Sequence, residues 1–243
     1  MNSINIASYL PVMAKAQPDT LAVAIQNSSS DYPRYTYGEL DQASDLLARG
    51  LQEAGIVKGT RTVLMVTPGL EFFALVFALF KIGAVLVAVD PGMGVKNLGK
   101  CLQEAEPEAF IGIRKAHVAR ILKQWAKSTI RINVVVEASK LAGLFMIDMG
   151  RLYELGAHSN KAAMNNVEAD DKAAILFTSG STGVPKGVNY THGNFTAQVK
   201  ALQSLYDIQA GEIDLATFPL FALFAPAMGM TSIIPDMDFT RPG

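Results

Sequence analysis

The sequence predicts an α/β fold of mostly parallel sheets flanked by helices. Three observations carry that expectation: short apolar runs rich in β-branched residues, segments of helical period between them, and a regular alternation of the two. The chain has 243 residues, half of them hydrophobic and 18% charged, enough for one large α/β domain or two smaller lobes with a real core.

Thr36 and Glu39 form a capping-box pattern, and Leu40, Ala43, Leu47, Leu51 and Ala54 recur at helical spacing up to Gly55. Thr62 to Val66 reads as a strand, Glu71 to Ile82 as a buried helix, and Val85 to Val89 as a strand ended by Asp90-Pro91-Gly92. The alternation continues with a helix over Val95 to Glu104, a strand over Ala109 to Ile113, a helix over Lys115 to Ala126 and a strand over Ile132 to Val136. Such βαβ units imply a parallel sheet covered on both faces. Between Glu137 and Asp171 the periodicity fades, and Gly156 to Asn166 within it is small and polar, so this stretch is the best candidate for a linker. The expected division is therefore a first α/β lobe over 1–165 and the start of a second over 166–243. Lys172 to Phe177 restores a strand, a glycine-rich loop follows, and Phe195, Val199, Leu202 and Tyr206 mark one face of a helix, giving the order strand, loop, helix.

Composition excludes several classes. With 21 basic residues against 22 acidic and no aromatic-basic stripe, the footprint of a nucleic-acid binder is missing. Cys101 is the single cysteine and has no companions at metal-site spacing, which suits core filling in a reducing compartment. Met1 to Met13 lacks the basic and apolar regions of a secretory leader, so the expected location is cytoplasmic. Phe72 to Phe80 is far shorter than the roughly 20 residues of a membrane span. Leu215 to Pro235 is long enough, but it contains Pro219, Pro226 and Gly229 and lacks basic flanks, so no transmembrane segment is expected.

Thr178-Ser179-Gly180-Ser181-Thr182-Gly183-Val184-Pro185-Lys186-Gly187 packs four hydroxyls, three glycines and one cation into ten positions. Gly180 and Gly183 allow the backbone to turn with positive φ, so that successive N–H groups can converge on anionic oxygens. The hydroxyls add neutral donors, Lys186 supplies positive charge, and Pro185 restricts the backbone beside it. Neither the Walker A nor the Rossmann glycine pattern occurs. A plain Ser/Thr/Gly surface loop is the competing reading.

The order of residues from Ile175 to Lys186 resembles the complete phosphate-loop signature of the adenylate-forming superfamily, which includes acyl-CoA ligases, peptide-synthetase adenylation domains and luciferases. Leu79 to Val85 with Val89-Asp90-Pro91, and Phe218-Pro219-Leu220-Phe221, are similar to two further motifs of that family, so the likeness runs from about Thr36 to the end. It implies the N-terminal portion of the adenylate-forming enzyme fold and a reaction in which a carboxylate attacks the α-phosphorus of ATP, giving an acyl-adenylate and pyrophosphate. It also implies that Thr178, Ser179, Gly180, Ser181, Thr182, Gly183 and Lys186 hold the phosphates, with Thr178 and Lys186 serving catalysis and Thr178 ligating Mg2+. Phe221 and Ala222 would lie at the acid's site, and CoA is one candidate for the second nucleophile.

Ala222 stands where many CoA ligases have histidine. The run Pro219 to Ala227, with Ile234 to Asp238 and Arg241-Pro242, resembles the β-lactone synthetases of bacterial olefin biosynthesis. This implies a long-chain fatty or β-hydroxy fatty acid as substrate, an acyl tunnel lined by Leu215 to Pro235, and partner enzymes of acyl metabolism. Because the family's adenine and ribose contacts, acidic Mg2+ ligand and mobile domain are not found before Gly243, the chain is expected to be a fragment unable to complete adenylation alone. An amino-acid-activating adenylation domain and a non-catalytic binding module remain alternatives. His192 lies six residues after Lys186, between the strand that follows the loop and the next helix, and for it a capping or structural role outweighs a catalytic one. His117 and His158 lack a supporting constellation, and Trp125 and Tyr206 read as core or surface aromatics.

Overall fold

In the computed structural model, residues 4–26, 32–89, 93–137, 146–178, 185–217 and 223–237 are described. The elements form two sheets. The larger has seven strands: β3 (Arg61–Met65), β4 (Val85–Ala88), β5 (Ala109–Gly112), β6 (Ile132–Val135), β7 (Ile147–Asp148), β8 (Lys172–Thr178) and β9 (Lys186–Thr191), in the spatial order β7-β6-β5-β3-β4-β8-β9. All neighbours are parallel except β8 and β9. The smaller has the order β10 (Ile213–Leu215), β11 (Thr231–Ile234), β1 (Leu21–Ile25), β2 (Arg34–Thr36).

The period-2 alternation of the parallel strands feeds two cores. Leu64, Leu86, Ile111, Val134 and Ala174 face a large one, while Val63, Val85, Val87, Phe110 and Ile175 face a smaller one with Leu98, Cys101, Leu102 and Trp125. Helix α4 (Val95–Ala105) supplies Leu98, Cys101 and Leu102. Helix α5 (Arg114–Lys123) is capped by Gln124 in the left-handed region and ends three residues earlier than the sequence pattern suggests, and Trp125 turns inward against Gly99.

On the large-core side lie α2 (Tyr37–Glu53) and α3 (Leu70–Ile82). The capping box opens α2: the Thr36 hydroxyl accepts from the Glu39 N–H at 3.2 Å, and the Glu39 carboxylate accepts from the Thr36 N–H at 2.8 Å. Helix α3 is apolar on every face and buried from Phe73 to Ile82, as a helix between layers must be. Gly83, with φ of 71°, ends it in the left-handed cap that favours glycine. The one charged side chain within this buried stretch, Lys81, is fully buried and reaches Asp41 and Asp45 of α2 at 2.6 and 2.5 Å.

The stretch read as a linker holds a helix, α6 (Met149–His158), capped by the Asp148 carboxylate on the Arg151 N–H at 2.8 Å. It crosses α2 at backbone contact. A β-carbon on Gly50 would stand 2.1 Å from the Leu152 carbonyl oxygen, and one on Gly156 would stand 2.0 Å from that of Leu46. The expected boundary near residue 165 is spanned by both sheets: β8 pairs with β4, and the N-terminal β1 pairs with β11. The N-terminal segment is sewn in by a short 3-10 turn, Ile6–Ser8, and by α1 (Tyr9–Ala16), with the Asn5 amide donating to the Phe80 carbonyl at 2.9 Å. Among the described residues no helix is long and apolar enough to cross a membrane.

Candidate functional site

Strands β8 and β9 frame the glycine-rich segment. They run antiparallel with Thr178 opposite Lys186, so the segment closes a hairpin. The order expected from sequence was strand, loop, helix. The strand expected between Lys186 and His192 is β9, and α7 (His192–Tyr206) begins at the far end of the ladder, where Thr191 pairs with Lys172. The N-terminus of α7, capped by Thr191 on the Asn194 N–H at 3.1 Å, is therefore not the anion-binding end of this loop.

The mouth of the hairpin lies at the carboxyl end of the parallel strands, beside β4, with Ala88 paired to Leu176. Open α/β sheets bind ligands at this end. Lys186 is exposed there, and among the described residues no carboxylate or carbonyl is paired with its ammonium. Pro185 beside it is buried. Gly187 has a packing role: a β-carbon there would stand 3.1 Å from the Phe177 ring and 3.2 Å from Ile175 Cγ2. Ser179, Gly180, Ser181, Thr182, Gly183, Phe221, Ala222 and the side chain of Thr178 lie outside the described residues.

Around the hairpin the structure joins three sequence motifs through aromatic contacts. Phe195 of α7 stacks on Tyr190 of β9 at 5.3 Å, meets Phe80 of α3 at 5.7 Å, and meets Phe224 edge-on at 5.8 Å. Phe224 opens α8 (Phe224–Ala227), so the segment after the expected acid-site residues is tied to the loop-bearing hairpin. Sequence reasoning missed this link, although each aromatic flanks a motif it had marked.

Part of the expected tunnel lining is used for packing. Ala225, Ala227, Met228 and Met230 belong to the large core, and Thr231–Ile234 is strand β11. The Tyr37 hydroxyl donates to the Met230 carbonyl at 2.8 Å and fixes this turn, and burial holds its pKa well above the usual phenol range.

His192 is fully buried. Its Nδ1 accepts the Ile6 N–H at 3.4 Å, its ring sits edge-on to Phe80 at 6.2 Å, and its Nε2 has no partner among the described residues. Burial pushes its pKa down to about 4, against an opposing pull from Asp171. It is a neutral pin between the N-terminal turn and α7. His117 is likewise structural, with Nε2 2.9 Å from the Val134 carbonyl, and burial lowers its pKa. His158 is exposed at the end of α6. Trp125 is buried and Tyr206 exposed, so both are structural or surface residues.

A sequence profile described as AMP-binding enzyme matches residues 11–234. The chain is 48% identical to the olefin beta-lactone synthetase of Stenotrophomonas maltophilia, over 98% of this chain and 44% of that protein. It is equally identical to the olefin beta-lactone synthetase of Xanthomonas campestris, over 98% of this chain and 43% of that protein. The chain thus spans less than half the length of these relatives. Among solved structures, the inhibitor-bound N-terminal domain of FACL13 from Mycobacterium tuberculosis superposes with a TM-score of 0.77 at 24% identity, covering 96% of this chain and 58% of that one. This agrees with the α/β architecture of parallel strands and flanking helices seen here. With the profile matching most of its length, the chain belongs to the AMP-binding enzyme family.

Proposed function

We propose that the protein activates a carboxylic acid with ATP, giving an acyl-adenylate and pyrophosphate, and that the β8–β9 hairpin holds the leaving group. The observation that carries this reading is Lys186: an exposed ammonium with no counter-charge among the described residues, at the mouth of a hairpin closed by a Ser/Thr/Gly segment. A carboxylate oxygen attacks the α-phosphorus, the bond from that phosphorus to its bridge oxygen breaks, and the negative charge moves onto pyrophosphate. Lys186 and the loop N–H groups offset that charge, because phosphoryl-type transfer depends on positioning and electrostatics more than on covalent help from the protein. Thr178 to Gly183 would cradle the β- and γ-phosphates. Mg2+, when bound with the nucleotide, would screen the phosphate charge, with Thr178 as one protein ligand. Among the described residues no group of three His, Cys, Asp or Glu side chains gathers for a metal.

For the substrate we propose a fatty or β-hydroxy fatty acid, with ring closure by the acid's own hydroxyl. The hydroxyl oxygen attacks the acyl carbon, AMP leaves, and the hydroxyl proton is lost, giving a β-lactone without CoA. Two features support this reading: the 48% identity to two proteins named olefin beta-lactone synthetase, and Ala222 in place of a polar ring. The test is product analysis of the full-length protein with ATP and a β-hydroxy acid, with and without CoA. A CoA-independent lactone with pyrophosphate release is expected. A thioester formed only with CoA would overturn the lactone reading and leave adenylation standing.

A further inference from the structure

Helix α5 packs its small side chains Ala116 and Ala119 on the smaller core and turns its larger aliphatics outward. Its inward face carries polar groups: His117, edge-on to the Phe110 ring at 4.9 Å, and Arg120, whose guanidinium lies 5.4 Å over the same ring and donates to the Asn133 amide oxygen at 2.8 Å. Its outward face carries aliphatics at helical spacing, Val118, Ile121 and Leu122, which are 56%, 56% and 75% exposed. Among the described residues they cover no core, and exposure of three contiguous aliphatics on one helix face costs solvation unless something meets them.

The charge around that face is equally one-sided. From Arg114 to Arg131 the chain carries Arg114, Lys115, Arg120, Lys123, Lys127 and Arg131 with no Asp or Glu, although acidic residues outnumber basic ones, 22 to 21, over the whole sequence. Lys115, Lys123, Lys127 and Arg131 are exposed, and among the described residues none has an ion-pair partner. Unmatched cations at both ends of an aliphatic stripe complement a surface that is anionic outside and apolar beneath. Long flexible cations on a convex helix suit a fluid surface better than the fixed groove a folded acidic partner would require.

We infer that α5 and the turn after it dock the protein on an anionic lipid surface. Val118, Ile121 and Leu122 enter the headgroup layer, while Lys115, Lys123, Lys127 and Arg131 meet lipid phosphates. With three inserted aliphatics and a handful of cations, the attachment is weak and reversible. The inference stands independently of the adenylation reading, because none of these residues belongs to the hairpin.

The test is co-sedimentation of the full-length protein with vesicles of phosphatidylcholine alone and of phosphatidylcholine mixed with phosphatidylglycerol. Wild type is expected to sediment with the anionic vesicles and to stay in solution with the neutral ones. The triple variant K115Q/K123Q/K127Q should lose about fivefold in partition per charge removed. I121Q/L122Q should lose on the order of tenfold through its two inserted side chains. Because all five side chains are exposed, circular dichroism should show both variants folded. No sedimentation of wild type with anionic vesicles, or equal partition of wild type and both variants, would overturn the inference. So would a lipid-free dimer or a complex with an acidic protein that I121Q/L122Q disrupts while vesicle binding is absent.

Discussion

Two lysines define two kinds of region in this molecule. Lys81, deep between α3 and α2, is fully buried and matched by Asp41 and Asp45 at 2.6 and 2.5 Å. Lys186, at the mouth of the β8–β9 hairpin, is exposed and unmatched among the described residues. The first region is complete in itself: its cation has its anions, its helices touch through glycines, and its histidine is sealed. The second leaves its cation open to solvent, without a counter-charge among the described residues. A buried charge must be compensated inside the fold, whereas an exposed charge can be reserved for a ligand.

The largest effect should come from uncompensating Lys81. The double change Asp41→Asn and Asp45→Asn leaves a buried ammonium without a counter-charge and should lower stability by about 3–5 kcal/mol in urea unfolding. A loss under 1 kcal/mol would mean that the pair behaves like an ordinary surface bridge and would blur the contrast. Next is the glycine contact. Gly156→Ala drives a β-carbon into the Leu46 carbonyl and should cost about 3 kcal/mol through forced separation of α2 and α6, read as a fall in melting temperature.

The pH response of His192 should be smaller. Its folded pKa, pushed down to about 4, lies below the ordinary 6.5, so the unfolded chain binds the proton first as pH falls. Its contribution is therefore fully present above about pH 6.5 and is lost progressively toward pH 4. Between pH 7 and 5 this amounts to roughly 2 kcal/mol from His192. His117, also lowered, adds in the same direction. His192→Asn should be less stable at pH 7 and show a flatter fall. An unchanged slope would show that the ring is not the neutral pin described here.

Much of the first region was legible from sequence because its signals are local. The capping box at Thr36 and Glu39, the all-round apolar α3 and the β-branched runs of β3 to β6 each declare themselves within a short window. Helix α6 did not, since Gly150 and Gly156 lower its intrinsic propensity and it is fixed by an N-cap and by contact with α2 about 100 positions earlier. Strand β1 was hidden for the same reason, because its partner β11 lies some 210 residues away. At the candidate site, residue order marked the loop and the strand after it, but it could not show that this strand pairs antiparallel with β8 and carries α7 to the far end of the ladder. Nor could it show that Gly187 answers to the Phe177 ring.

The central claim is that Lys186 serves a ligand and not the fold. The direct measurement is ATP–pyrophosphate exchange by the full-length protein with Lys186→Ala, alongside its melting temperature. Loss of exchange by about 10²- to 10³-fold, with melting unchanged to within about a degree, is expected for a group that acts on the leaving phosphates. Undiminished exchange, or a melting point that falls as it would for a buried partner, would contradict it.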